Sequence, residues 1–69
     1  MYPNLKKELY LSGVTQVRIA KALGIGTNTL AKKMHGVTEF KASEMFAIQR
    51  AFFPTLTVDY LFETKQKGD

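Results

Sequence analysis

The chain has 69 residues, no cysteine, no tryptophan, one histidine and a formal charge of +4. A chain this short is one domain that buries about 60% of the surface its unfolded form exposes, which leaves no room for a two-layer enzyme around a deep pocket. Disulfide staples and thiolate metal sites are excluded, and the lone His35 cannot build a zinc site. The opening MYPNLKKELYL holds no long apolar run, so neither a signal peptide nor a membrane span is expected. With 45% hydrophobic and 23% charged residues the composition is that of a folded domain.

The helix signals are short and follow one another closely. Asn4 after Pro3 is a candidate cap for a first helix carrying Leu5 and Leu9 at i, i+4, with Gly13 as its stop. Thr15 is an N-cap for a second helix, Gln16 to Leu23, with Ile19, Ala20 and Leu23 on one side and Gly24 ending it. A third pattern runs from Thr27 to His35, with Leu30 and Met34 paired and Gly36 closing. Residues 37–41 read as a loop. Met45, Ile48 and Phe52 then mark a fourth helix, Ala42 to Phe52, that Pro54 cannot continue. Thr57 caps a short fifth, Val58 to Phe62, with Asp59 in its first turn. No useful stretch alternates with period two. The expected fold is all-α, a bundle of five short helices over residues 1–63, followed by a polar tail at 64–69.

Charge and aromatic content are unevenly spread. Up to Val37 the net charge is +5, and from Thr38 onward it is −1, while six of the eight aromatic residues fall in the second part. This balance nominates a polyanion without identifying it, since a solvated lysine-rich face accounts for it equally well. Phe46, Phe52, Leu56 and Leu61 are expected in the core. Phe53, Val58, Tyr60 and Phe62 then exceed what so small a core takes up, and are expected to make a two-fold contact between subunits.

The segment TQVRIAKALGIGTNTLAKKMHG, residues 15–36, describes two helices crossing through a tight turn. Ala20 permits close approach, and Ile19, Leu23, Ile25 and Leu30 close over the crossing. Thr27, Asn28, Ala31 and Lys32 are left facing outward with Thr29 beside them: short polar groups, a small apolar residue and a cation, with no acid. A helix that enters a DNA major groove needs such a face.

This segment resembles the helix-turn-helix of the lambda-repressor/Cro family of phage and bacterial regulators. The resemblance rests on Thr15-Gln16 opening the second helix, Ala20 within it, Leu23-Gly24 at its end, the polar run Thr27–Lys33, and the closing His35-Gly36. It extends to Leu5 and Leu9, to Met45, Ile48 and Phe52, and to the closing Leu56–Phe62, covering residues 4 to 63. It departs from the family at three places. Gly26 stands where a capping Ser or Thr is common, Lys33 where a large apolar residue is common, and Lys41 where Ser, Thr or Pro opens the fourth helix.

The resemblance implies a sequence-specific repressor of double-stranded DNA acting as a homodimer in the cytoplasm of a bacterial host. Thr27, Asn28, Lys32, Thr29 and Ala31 would meet base edges, and Thr15, Gln16, Lys33, Lys41 and Arg18 would meet phosphates. Phe53 and the closing-helix residues Val58, Tyr60 and Phe62 would meet the second subunit. A second possibility is a protein-interaction module of the same fold, a modulator, antirepressor or antitoxin that binds another phage regulator. No cofactor or small-molecule ligand is implied. No set of nucleophile, base and acid suggests an enzyme, and Gly24-x-Gly26 lacks the strand and third glycine of a dinucleotide fingerprint.

Overall fold

The computed structural model describes residues 2–64. Its elements are α1 (Pro3–Ser12), α2 (Gln16–Leu23), α3 (Thr27–Met34), α4 (Ala42–Phe52) and α5 (Val58–Leu61), and no strand occurs among the described residues. The expected all-α bundle of five short helices is what the chain forms. Of the tail expected at 64–69, residues 65–69 lie outside the described part.

Helix boundaries follow from local chemistry. The Thr15 hydroxyl accepts the Arg18 N–H at 3.3 Å and the Thr57 hydroxyl accepts the Tyr60 N–H at 3.1 Å, so each threonine satisfies a first-turn donor. Gly24 sits in the left-handed region at φ 72°, where a side chain would be strained. Its own N–H reaches the Lys21 carbonyl at 3.2 Å and the Ile25 N–H reaches the Ala20 carbonyl at 3.0 Å, which closes α2 in a Schellman turn and aims the chain at α3.

The expected cap of α1 is different. The helix starts at Pro3, whose missing N–H would have had no partner there in any case. Asn4 lies inside the first turn, and its amide donates to the Tyr60 carbonyl at 2.9 Å and to Glu63 Oε1 at 3.1 Å. It fastens the two ends of the described chain together rather than capping a helix.

Each helix contributes one fully buried aliphatic side chain to the centre: Leu5, Ile19, Leu30, Ile48 and Leu61. α1 packs on α5, α2 packs on α3 and α4, and α4 packs on α5. The backbone of α3 lies against α2 alone among the helices, which leaves its far side open.

The aromatic residues are distributed differently from expectation. Phe53 and Phe62, expected at a subunit contact, are buried within the protomer, whereas Phe46, expected in the core, is 50% exposed. The helix turns about 100° per residue, so Phe46 points away from the inward Ile48 two positions on. Tyr2, Phe40 and Phe62 meet edge to face, with ring centroids 5.1–5.8 Å apart. All three stand at helix ends, and together they close the base of the core.

One polar device holds the corner between α4 and α5. The Gln49 amide donates to the carbonyls of Leu56 at 2.8 Å, Pro54 at 3.3 Å and Phe53 at 3.4 Å. Gln49→Leu keeps the volume and takes this donor from the Leu56 and Pro54 carbonyls, while the Phe53 carbonyl keeps the Leu56 N–H at 3.0 Å, so a loss of about 1–3 kcal/mol is expected in urea unfolding with an unchanged m-value.

Candidate nucleic-acid interface

The outer side of α3 gathers the base-reading candidates. Thr27, Asn28, Thr29 and Lys32 are exposed, Ala31 is half-buried between them, and Leu30, Lys33 and Met34 turn inward. The side chains of Thr27, Asn28, Thr29 and Lys32 make no hydrogen bond or ion pair among the described residues, so their donors and acceptors are available to a ligand. No side chain caps α3 at Gly26, which leaves its first-turn N–H groups open beside them. No Asp or Glu occurs between Glu8 and Glu39, so this region carries cations alone.

The phosphate candidates divide. Gln16, in the first turn of α2, is exposed and borders a small cleft with Tyr2, Lys6, Met34 and His35. The cleft brings Lys6 and His35 beside Gln16, a grouping that sequence spacing does not disclose because the three come from three helical segments. Thr15 remains exposed, with its hydroxyl oxygen accepting the Arg18 N–H. Arg18 is exposed with its guanidinium 5.9 Å above the Phe52 ring centroid, a contact that orients it toward α4. Lys41 is exposed at the start of α4, where its backbone N–H donates to Glu44 Oε1 at 2.9 Å.

Lys33 leaves the phosphate set. It is 8% exposed, and its ammonium is 3.2 Å from Glu44 Oε1 and donates to the Glu39 carbonyl at 3.2 Å. The physical reason is phase: residue 33 lies three positions after the buried Leu30, on the inward side of α3. A lysine there is burdened with desolvation unless a carboxylate meets it, and Glu44 does.

Burial pushes the Glu44 carboxyl up, but the Lys41 N–H, the Lys33 hydrogen bond and the charges of Lys33 and Lys41 together outweigh it and hold the group below its ordinary value. A carboxyl lowered in the folded state stabilises the fold above its unfolded value, and that contribution is lost as pH falls through the lowered one. Glu44→Gln is therefore expected to melt below wild type at about pH 7. The gap should narrow as pH falls through the lowered value of the wild-type carboxyl, below which that carboxyl is neutral too.

The subunit candidates also divide. Phe53 and Phe62 belong to the core, and only Val58 and Tyr60 remain half-buried at the surface. The Tyr60 hydroxyl donates to Glu8 Oε2 at 2.9 Å and so links α5 to α1. Shallow grooves run on both sides of Val58 and Asp59, one bordered by Met45 and Tyr60, the other by Phe46 and Leu56.

No group of three or more His, Cys, Asp or Glu able to hold a metal ion occurs among the described residues. No helix there is long and apolar enough to cross a membrane. No protein-family model, curated protein or solved structure matches the chain.

Proposed function

We propose that the protein is a sequence-specific binder of duplex DNA that acts as a transcriptional regulator of the lambda-repressor/Cro type. The observation that carries this reading is the outer face of α3, where Thr27, Asn28 and Lys32 stand exposed, without a hydrogen bond or ion pair from their side chains among the described residues, on a helix whose inner face is fixed to α2. Asparagine pairs bidentately with adenine, lysine donates to guanine O6 and N7, and a threonine methyl meets that of thymine. Gln16, Lys6 and His35, which share one cleft, and the exposed Lys41 at the start of α4 supply the phosphate contacts that hold α3 in register. Arg18 contributes at most a backbone contact, given its place over Phe52.

Two copies pair through the open face of α4 and α5, where Val58 and Tyr60 remain from the expected set and Phe46 takes the place of the core residues Phe53 and Phe62. The dimer presents two α3 helices to half-sites about 34 Å apart, one turn of DNA. Binding at a promoter occludes it, and the reading requires neither cofactor nor catalytic group.

A second reading, a module that binds another regulator, draws on the exposed apolar side chains: Tyr10 at 86%, Val37 at 70%, Leu11 at 67%, Val17 at 63% and Phe46 at 50% exposure. Selection of bound duplexes from a random pool separates the two. The DNA reading expects enrichment of a palindromic site and affinity that falls steeply with salt. Binding no tighter to the enriched pool than to random duplex would sink it and leave the protein-binding module.

A further inference from the structure

Lys33 is the only charged residue buried among those described, and what it touches explains more than its burial. Its ammonium joins three pieces of chain. It leaves the last turn of α3, donates to the Glu39 carbonyl in the loop and pairs with Glu44 in the first turn of α4. The same Glu44 Oε1 accepts the Lys41 N–H, so one carboxylate oxygen fixes both the lysine and the start of α4. The helix backbones themselves supply no such link, since α3 lies against α2 only. The last turn of α3 is followed at once by a tight turn in which the N–H groups of Gly36 and Val37 return to the carbonyls of Lys33 and Lys32 at 3.1 and 2.9 Å.

We infer that Lys33 is a positioning residue: its pair with Glu44 ties the end of α3 to α4 and sets the pose in which the outer face of α3 meets a base pair. This rests on the DNA reading above and deepens it, because it assigns specificity to a residue that touches no nucleic acid. An apolar pair would fill the same space, but it has no preferred direction. An ion pair with two further hydrogen bonds has one, and holds the angle between the elements it joins. Asn28 and Lys32 read bases only if α3 enters the groove at that angle, since a bidentate hydrogen bond is lost with a small rotation.

The test uses the full chain and three variants: Lys33→Met/Glu44→Met, which keeps the volume and removes the pair, Glu44→Gln, which takes the carboxylate alone, and Lys33→Arg, which keeps the pair. In the free protein, the amides of Gly36, Val37 and Thr38 are expected to exchange roughly tenfold faster in the double methionine variant, with those of Ile19 and Ala20 unchanged. Affinity for the selected duplex is expected to fall roughly tenfold, the size of one lost base contact, and selectivity over random duplex to fall with it. The slope of log K against log salt stays at the wild-type value, because no phosphate contact is removed. Glu44→Gln, which leaves the buried ammonium without its carboxylate, is expected to depart from wild type at least as far as the double variant, and Lys33→Arg, which keeps the pair, is expected to hold exchange, affinity and selectivity at wild type.

Wild-type exchange and wild-type selectivity in the double variant would overturn the inference. So would a slope reduced by about 0.9, which would make Lys33 a phosphate contact. If the wild-type chain enriches no duplex, the DNA reading fails by itself, and the exchange comparison decides whether the pair fixes α3.

Discussion

Phe62→Ala is expected to remove about 3–5 kcal/mol of stability, the usual cost of truncating a buried phenylalanine. Native domains hold only about 5–15 kcal/mol, and one this short belongs near the lower end. The melting point should therefore fall by roughly 12–40 °C. The ring is 9% exposed and meets Phe40 and Tyr2 edge to face at 5.1 and 5.8 Å, so its removal takes two of the three ring contacts in the cluster and leaves only that between Tyr2 and Phe40 at 5.4 Å. The loss is expected to be independent of protein concentration, because the contacts lie within one protomer. A phenylalanine at a subunit contact would behave otherwise: its truncation would weaken association and leave a dilute monomer's melting point nearly untouched. Thermal melts by circular dichroism at two concentrations a hundredfold apart separate the cases. A shift of only a degree or two in the dilute sample would remove Phe62 from the core.

The same residue shows where the sequence is legible and where it is not. The helices could be placed because each is announced locally. Thr15 and Thr57 accept first-turn N–H groups, Gly24 turns the chain at positive φ, and Leu5, Ile19, Leu30 and Ile48 recur at helical spacing. Tyr2, Phe40, Phe53 and Phe62 lie at helix ends or in connections, where no periodicity indicates which way a side chain points. Composition alone then assigns them, and it assigned Phe53 and Phe62 outward and Phe46 inward, the reverse of what forms.

Within α4 the signal was present. Phe46 is out of phase with Ile48, and its hydrophobicity outweighed its phase. Lys33 is the mirror case, a charge in phase with Leu30 whose position foretold burial while its chemistry argued for solvent. Its partner Glu44 is eleven positions on, across a loop, where no local rule connects them. The outer face of α3 was legible for the opposite reason. Its exposed residues follow from the inward ones by geometry alone, once the helix and its buried side are known.

The largest expected effect on binding is that of Asn28→Ala with Lys32→Ala. Each good bidentate pairing with a base is worth about 1–3 kcal/mol of discrimination, so losing both is expected to weaken the selected duplex by between about 30-fold and about 10⁴-fold. The floor is the protein's own affinity for random duplex, which phosphate contacts maintain. Both side chains are exposed and make no hydrogen bond or ion pair within the described residues, and alanine is the better helix former. Stability should accordingly stay within about 0.5 kcal/mol of wild type, so lost binding cannot be ascribed to unfolding. The salt dependence separates reading from holding. A slope near wild type is expected for Asn28→Ala, whereas Lys41→Ala should lower it by about 0.9 and weaken selected and random duplexes alike. If the double variant binds the selected site as wild type does, α3 does not read DNA. The face to probe next would then be the apolar one around Phe46 and Val58, against protein partners rather than duplexes.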